Sequence, residues 1–285
     1  MDFKNYLVPG KTGLLIGIGG VSMSPLAEVL HDAGLDIRGS DMAESSNTLT
    51  LRERGIPIHI GHSADNVTDD ISFVIRTAAV HDDNPEVHEA HRRGIPVFER
   101  TQAWGALMRG YQNALCISGT HGKTTTTSMC THIMMAAEKD PTVMIGGTLP
   151  LLKACHRVGK GNTIIMESCE YYNSFLALNP TIAVVLNIEA DHLDFFKDLE
   201  DIKHSFRCFA ERVPAETGTV IANYDDANTM DALRGIARKV ITFGLNAKAD
   251  VYAQNIVHRG SVSEFDIYHR GNYFARVTLH VPGIH

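Results

Sequence analysis

Short apolar runs alternate with longer segments of helical periodicity over the first hundred residues. Apolar runs of strand length cover residues 13–18, 36–38, 73–75 and 97–98. Between and after them, helix-like segments cover residues 26–33, 48–54, 85–93 and 101–108. This alternation is typical of βαβ units on a parallel sheet. The pattern therefore predicts an α/β fold, with a Rossmann-like parallel-sheet domain over residues 1–110 and a polar, Gly-containing linker at 109–113.

A second α/β pattern begins after this linker. Its predicted strands are residues 114–118, 143–145, 163–166, 182–186, 219–223 and 240–243. Its predicted helices are residues 123–137, 199–213 and 227–236. After residue 250 strand-like alternation continues on both sides of a predicted turn at 270–272, as in an antiparallel hairpin. We therefore expect residues 111–285 to form a P-loop α/β ATPase domain with a small antiparallel β extension.

Composition limits the possible partners and compartment. A chain of 285 residues with 44% hydrophobic residues can bury two cores. Its net charge of −7 argues against a protein that coats nucleic acid or anionic membranes. Five cysteines without a C-x-x-C pair favour a reduced cytoplasmic location. Of these, Cys116 and Cys169 are expected to be small buried hydrophobic residues.

The strongest chemical signal is S-G-T-H-G-K-T-T-T-T at residues 118–127. It follows an apolar strand and opens a helix, which is the context of a phosphate-binding loop. Glycines turn backbone N–H groups toward phosphate oxygens, Lys123 supplies a cation, and the hydroxyl of Thr124 can hold Mg²⁺. The usual pattern requires glycine at position 117, where this chain has Ile117, so Gly119 supplies the early turn. The segment predicts binding of a nucleoside triphosphate.

Another glycine-rich segment, G-I-G-G-V-S-M-S at residues 17–24, follows the first predicted strand. It is an imperfect G-x-G-x-x-G, because Ser22 holds the third position, and Asp41 lies at the separation of a ribose-binding acid. The segment predicts a site for a dinucleotide or a diphosphate. A ligand-free turn and, for Asp41, a capping role are the alternatives.

Two further strand ends carry polar residues. Glu167 ends a buried strand and is a candidate Mg²⁺ ligand of the Walker-B kind, with a solvated strand end as the alternative for it and, more strongly, for Glu170. His192 lies in L-N-I-E-A-D-H-L-D at 186–194, also after a strand. Its neutral imidazole could bind a second Mg²⁺ or phosphate, or could simply cap or lie at the surface.

Several of these motifs together resemble the ATP-dependent Mur ligases of peptidoglycan synthesis. They are G-T-H-G-K-T-T at 119–125, E-x-x-E at 167–170 and N-x-x-x-D-H at 187–192. Four others extend the resemblance over nearly the whole chain: I-G-I-G-G-x-x-M-S at 16–24, G-S-D at 39–41, T-A-A-V at 77–80 and D-N-P-E at 83–86. The likeness is greatest to those members that join L-alanine to UDP-N-acetylmuramate.

The resemblance implies a reaction in two steps. ATP phosphorylates the lactyl carboxylate of UDP-N-acetylmuramate, and the amine of L-alanine then attacks the acyl phosphate. It implies Lys123, Glu167 and His192 as catalytic residues, and Thr124, Glu167 and His192 as Mg²⁺ ligands. The implied triphosphate cradle is Gly119, Thr120, His121, Gly122, Lys123, Thr124 and Thr125. The implied UDP-sugar contacts are Gly19, Gly20, Ser22, Met23, Ser24, Asp41 and Thr77. Cytoplasmic cell-wall synthesis, and with it cell shape and division, would be the biological role.

One departure from the family and two rival interpretations remain open. Family members continue past the V-P-G-x-H segment with an adenine-contacting asparagine and an amino-acid-binding domain, whereas this chain stops at residue 285 in a predicted turn. We therefore expect a truncated chain that binds the UDP-sugar, binds ATP weakly and catalyses little. The rivals are an NAD-dependent oxidoreductase, based on residues 17–24 and Asp41, and a nucleotide-binding regulatory module.

Overall fold

The computed structural model describes residues 2–77 and 79–281, which form two compact units. Residues 2–111 and 140–162 build the first unit, and residues 112–139 and 163–281 build the second. Ala78 of the T-A-A-V segment and residues 282–285 of the predicted terminal turn lie outside the described residues. None of the helices in the described ranges has the length and apolar character needed to cross a membrane.

The strands and helices follow one another in the following order. The strands are β1 Thr12–Ile16, β2 Asp36–Asp41, β3 Ile58–Ile60, β4 Ile71–Arg76, β5 Val97–Glu99, β6 Asn113–Ser118, β7 Thr142–Leu149, β8 Ala154–Arg157, β9 Thr163–Glu167, β10 Ile182–Val185, β11 Thr219–Asn223, β12 Lys239–Gly244, β13 Val251–Arg259, β14 Val262–His269 and β15 Asn272–Leu279. The helices are α1 Ser24–Asp32, α2 Ser46–Glu53, α3 Pro85–Arg92, α4 Arg100–Met108, α5 Lys123–Ala136, α6 Leu199–Ala210 and α7 Ala227–Ala232. Short 3₁₀ helices cover Phe3–Tyr6, Ala64–Asn66 and Tyr171–Ala177.

The first unit contains a parallel five-stranded sheet in the order β3-β2-β1-β4-β5. All five residues of the central strand β1 are buried, because helices cover both faces of a parallel sheet and its strands read as continuous apolar runs. Leu14 and Ile16 of β1 belong to a core with Val74 of β4 and Val87 and Ala90 of α3. The predicted Rossmann-like domain is confirmed. This unit also contains the antiparallel pair β7–β8.

In the second unit, eight strands are ordered β15-β14-β13-β12-β11-β10-β6-β9. The strands from β9 to β12 are parallel, while β13, β14 and β15 pair antiparallel at the other end. Positive φ angles at Arg270 and Gly271, 49° and 80°, make the turn between β14 and β15. Strands β6, β9 and β10 end at one edge of the sheet, and this edge carries the candidate chemistry. The predicted α/β domain with an antiparallel extension is confirmed.

Candidate functional site

The loop between β6 and α5 has the backbone geometry of a phosphate cradle. We call residues 119–124 the second glycine loop. Gly119 has φ +145° and Gly122 has φ +82°, and both values lie in the region that favours glycine. Gly122 is the N-cap residue of α5 and brings no capping side chain, so the helix start presents its amides to a ligand. Amides at a helix N-terminus bind anions because the helix dipole adds to their partial charge.

Residues after β10 hold this loop in place. Asn187 accepts hydrogen bonds from the backbone N–H of Thr120 at its carbonyl (3.0 Å) and from that of His121 at its side-chain oxygen (2.8 Å). Its side-chain amide donates back to the carbonyl of His121 at 3.1 Å. The hydroxyl of Thr120 accepts from the N–H of Glu189 at 2.9 Å. The polar segment predicted to converge on the site therefore clamps the loop, and Asn187 is the central residue of this clamp.

Lys123 lies inside the loop, with its ammonium group facing a buried carboxylate. Its Nζ donates to the carbonyls of Gly119 (2.6 Å) and Thr120 (3.1 Å), and to both carboxylate oxygens of Glu170 (3.2 and 3.1 Å). Glu170 is only 2% exposed, so the solvated strand end considered for it from the sequence is wrong. A buried carboxylate needs a charged partner, and Lys123 is that partner here. Phosphate oxygens would therefore compete with groups of the protein for this lysine.

Thr124 and Glu167 lie together at the ends of α5 and β9. The Thr124 hydroxyl donates to Oε1 of Glu167 at 3.0 Å. Hydroxyl and carboxylate oxygens are hard ligands of the kind that Mg²⁺ prefers. Within the described ranges, no three His, Cys, Asp or Glu side chains are gathered to hold a metal ion on their own. Because Mg²⁺ at phosphate sites keeps water and phosphate oxygens as ligands, the pair fits an ion that arrives with a nucleotide.

His192 is held in an aromatic stack. Its imidazole is stacked on the ring of Tyr171, with centroids 4.3 Å apart and an interplanar angle of 24°. Its backbone N–H donates to Oδ1 of Asp191 at 2.7 Å, and its φ is +51°. The structure thus joins Thr124 to Glu167 directly and joins His192 to Tyr171. This stack could not be predicted from the sequence, because Tyr171 and His192 are on different segments.

The loop after β1 is organised differently. We call residues 17–24 the first glycine loop. The N–H of Gly19 donates to Oδ2 of Asp41 at 2.8 Å, and the carbonyl of Gly19 accepts from Nδ2 of Asn47 at 2.8 Å. Gly17 has φ +78°, and a Cβ there would lie 2.8 Å from Cγ2 of Thr77. Asp41 thus holds the backbone of this loop, a contact that neither the ribose-binding nor the capping interpretation of the sequence included.

Arg100 brings a cation to the first glycine loop, and sequence reasoning missed it. Its guanidinium donates to the hydroxyl of Ser22, and the indole N–H of Trp104 donates to the Ser22 carbonyl at 3.4 Å. Both residues lie on α4, far along the chain from Ser22. Met23 and Ser24 are each only 1% exposed where α1 begins. Ser22, one of the predicted UDP-sugar contacts in this loop, therefore accepts a hydrogen bond from a cationic side chain.

The two cysteines beside the second glycine loop differ from each other. Cys116 on β6 is fully buried, and burial raises the pKa of its thiol to about 12, so it acts as an unreactive apolar side chain. Cys169 is exposed, so the prediction that it is buried is wrong. It follows the end of β9, where the chain leaves the sheet.

Comparison with known families agrees with this arrangement. Residues 15–112 match the Mur ligase family catalytic domain, and residues 117–285 match the Mur ligase middle domain. The chain belongs to the Mur ligase family.

Similar individual proteins narrow the comparison. UDP-N-acetylmuramate–L-alanine ligase of Agathobacter rectalis is 45% identical over 95% of this chain and 59% of its own length. The ligase of the same name from Clostridium novyi is 44% identical over the whole chain and 62% of its own length. The crystal structure of the UDP-N-acetylmuramate–alanine ligase MurC from Thermotoga maritima superposes with a TM-score of 0.77, at 29% identity over 95% of this chain and 61% of that one. This chain therefore spans about three fifths of the relatives it matches.

Proposed function

We propose that this chain carries the UDP-sugar-binding and ATP-binding parts of an ATP-dependent ligase that joins L-alanine to UDP-N-acetylmuramate in cytoplasmic peptidoglycan synthesis. The observation that carries the proposal is the second glycine loop, where Lys123 lies beside the Thr124–Glu167 pair. The similarity of relatives with this activity supports the choice of substrates. Residues 1–110 would bind the UDP-sugar and residues 111–285 would bind ATP. Roles in cell shape and division would follow from the activity.

The proposed reaction activates a carboxylate and then transfers an acyl group. A lactyl carboxylate oxygen attacks the γ-phosphorus of ATP, and the bond to the β–γ bridging oxygen breaks to release ADP. The amine of L-alanine then attacks the acyl carbon, loses a proton, and expels phosphate as the amide forms. Negative charge is redistributed over phosphoryl oxygens in the first step, so positioned cations are the main catalytic requirement.

Lys123 would meet that requirement by exchanging partners. Its Nζ now binds the carbonyls of Gly119 and Thr120, whose replacement by phosphate oxygens would leave the lysine on the triphosphate. Glu170 would remain beside it and keep the side chain directed into the loop. Residues Gly119, Thr120, His121, Gly122 and Thr125 would complete the cradle around the phosphates.

Thr124 and Glu167 would hold the Mg²⁺ that accompanies ATP, and His192 would contact a second ion or the transferred phosphoryl group. Bound Mg²⁺ would supply charge neutralisation at the β- and γ-phosphoryl oxygens. The Thr124 hydroxyl and the Glu167 carboxylate, already 3.0 Å apart, need little movement to face one ion.

The first glycine loop would bind the diphosphate of the UDP-sugar. Its proposed contacts are Gly19, Gly20, Ser22, Met23 and Ser24, with Asp41 and Thr77 near the uridine. Arg100, which already donates to the Ser22 hydroxyl, would add the cation that this loop lacks in its own sequence. A diphosphate would be matched electrostatically by one arginine and a helix start, since Arg binds phosphate through several N–H donors.

Ligand-dependent thermal stability tests the proposal directly. UDP-N-acetylmuramate is expected to raise the melting temperature of the 285-residue chain, because a ligand at about 100 times its Kd stabilises a protein by about 2.7 kcal/mol. NAD(H) is expected to leave it unchanged. Stabilisation by NAD(H) alone would instead support the oxidoreductase interpretation.

A turnover assay separates the ligase from a regulatory nucleotide-binding module. In a ligase that includes the amino-acid-binding domain, phosphate release should require both UDP-N-acetylmuramate and L-alanine. Release of phosphate from ATP without either substrate would favour the module.

A further inference from the structure

Tyr171 makes two contacts next to the second glycine loop that the proposed reaction does not use. It follows Glu170, the carboxylate partner of Lys123, and begins the 3₁₀ helix Tyr171–Ala177. Its ring stacks on the imidazole of His192 at a centroid distance of 4.3 Å. Its hydroxyl donates to Oδ2 of Asp194 at 2.5 Å. One tyrosine is therefore fixed at its backbone by the turn and at its hydroxyl by a carboxylate.

The backbone of His192 is fixed independently of this stack. Its N–H donates to Oδ1 of Asp191, and its carbonyl accepts the N–H groups of Phe195 and Phe196, both at 2.9 Å. What remains free is the rotation of the imidazole about its two side-chain torsions, and a ring stacked on one face restricts both. Tyr171 thus limits the one freedom that the backbone contacts leave.

These two segments include three non-glycine residues with strained backbone angles. His192 has φ +51°, and Tyr172 and Asn173 have φ +54° and +56°. Each of these non-glycine residues is in the left-handed region, which costs free energy and persists where the surroundings enforce it. Tyr172 is 67% exposed, and its ring centroid lies 4.2 Å from that of Tyr171. The two strained segments thus bring the rings of Tyr171, Tyr172 and His192 together.

We propose that Tyr171 is a positioning residue for His192, its ring holding the imidazole in the orientation used at the nucleotide–metal site. The inference rests on the proposed function, in which His192 acts on a metal ion or phosphoryl group. The same turn would then set two groups at once: Glu170 directs Lys123, and Tyr171 directs His192. Neither Tyr171 nor its hydroxyl needs to touch the ligand.

A spectroscopic experiment tests the stack without any ligand. The ring current of Tyr171 should shift the carbon-bound ring protons of His192 upfield, and loss of those NMR signals in His192→Gln assigns them among the 15 histidines. Tyr171→Phe keeps a ring and should keep the shift, whereas Tyr171→Leu should abolish it. Once His192→Gln has assigned them, unshifted His192 signals in the wild-type chain would overturn the proposal without any Tyr171 variant having to fold.

A binding experiment tests the positioning role. Affinity for Mn²⁺ in the presence of ADP, measured by electron paramagnetic resonance, should fall roughly tenfold in Tyr171→Leu, as for partners that orient a metal ligand. Tyr171→Phe should restore it. The double variant Tyr171→Leu/His192→Gln should be no weaker than His192→Gln alone, since the tyrosine acts through the histidine. Phe274→Leu, which changes a 72% exposed aromatic residue on β15, is the control.

Two different failures are distinguishable in this experiment. If Lys123→Ala leaves the affinity for Mn²⁺ and ADP unchanged, the proposed nucleotide site is wrong. If Lys123→Ala and His192→Gln weaken binding but Tyr171→Leu does not, or if the two losses in the double variant add, only the positioning role is wrong.

Discussion

The first and second glycine loops share a strand–loop–helix plan but obtain their positive charge differently. In the second glycine loop the cation is Lys123, which is the first residue of α5 and part of the loop motif itself. In the first glycine loop the cation is Arg100, which lies on α4 and is separated from Ser22 by 78 positions. The second glycine loop therefore carries its cation in its own sequence motif, whereas the first glycine loop obtains its cation from a helix that the fold brings close to it.

The two helix starts differ as well. Helix α1 has Pro25 in its first turn, and proline has no N–H to offer a ligand. Helix α5 begins Lys-Thr-Thr, so the N–H groups of its first turn are all present. In the first glycine loop, Asp41 also takes up the N–H of Gly19. Although Asn187 takes up the N–H groups of Thr120 and His121, the second glycine loop keeps those of its helix start, in agreement with the proposed triphosphate there and the proposed diphosphate at the first.

Removing the cation of either loop should have the largest effect on ligand binding. Lys123→Ala is expected to weaken ATP binding about 100-fold or more while leaving the thermal shift by UDP-N-acetylmuramate intact, because it removes the charged donor of one loop only. Arg100→Ala should instead weaken the binding of UDP-N-acetylmuramate and leave ATP binding intact. Calorimetric titration measures the affinity of each variant for both ligands. If either variant lost affinity for both ligands equally, the two loops would not be separate sites.

A stability control belongs with the Lys123 variant. Removing the lysine leaves the buried carboxylate of Glu170 unpaired, which typically costs about 3–5 kcal/mol. Lys123→Ala/Glu170→Gln removes that charge, so it should recover much of the stability without recovering ATP binding. Recovery of both would show that the lysine mattered only for folding.

The loop backbones should respond unequally to the same added methyl group. At Gly119 a Cβ would lie 2.9 Å from Cβ of Leu186 in a residue with φ +145°, whereas at Gly19 the nearest atom is Cγ2 of Thr48 at 2.8 Å and no positive φ is involved. Gly119→Ala therefore combines strain and overpacking, about 2–4 kcal/mol, and Gly19→Ala only overpacking, about 1–3 kcal/mol. Urea unfolding gives both values.

Gly110→Ala is the control for these two changes. A Cβ there would lie 3.3 Å from the carbonyl oxygen of Leu107, a milder overlap without a left-handed backbone, so the loss of unfolding free energy should be smaller than in either loop variant. A larger loss for Gly19→Ala than for Gly119→Ala would mean that the left-handed backbone does not dominate the second glycine loop.

The main strands and helices could be predicted from the sequence, and so could the second glycine loop, whose motif contains its own cation. Alternating apolar runs predicted the central strands β1, β4, β6, β9 and β10, because buried parallel strands are apolar throughout. Strand β3 was missed, since Ile58–Ile60 is short and partly exposed at the sheet edge. The 3₁₀ helix Tyr171–Ala177 was missed because left-handed residues at 172 and 173 have no signature in non-glycine residues.

Side-chain partners across the sheet edge could not be predicted in the same way. The Lys123–Glu170 pair, the Asn187 clamp and the Arg100–Ser22 contact each join residues that are distant in sequence. Their spacing depends on which strands are neighbours and where each strand ends. Residue type alone indicated that Glu170 was polar, but only the fold shows that it is buried against the loop lysine.

The smallest effect concerns pH and the surroundings of the second glycine loop. The hydrogen bond from the Tyr171 hydroxyl lowers the pKa of the Asp194 carboxyl below its ordinary value of 3.8. The same bond raises the pKa of the Tyr171 phenol above its ordinary value of 10.0. The lowered pKa of the carboxyl stabilises the fold at pH values above the ordinary carboxyl pKa, and this contribution is lost as the pH falls through the lowered pKa. The raised pKa of the phenol stabilises the fold at pH values below the ordinary phenol pKa, and this contribution is lost as the pH rises through the raised pKa.

The bond should therefore contribute to stability at neutral pH and weaken at both extremes. The melting temperature of the wild-type chain is expected to exceed that of Asp194→Asn by a small margin from about pH 5 to about pH 9, and the margin should shrink toward about pH 3 and above about pH 10. Asp41→Asn, at the first glycine loop, is the comparison variant. A margin for Asp194→Asn that stays constant from acid to alkali would show that the Tyr171–Asp194 bond is not formed in solution.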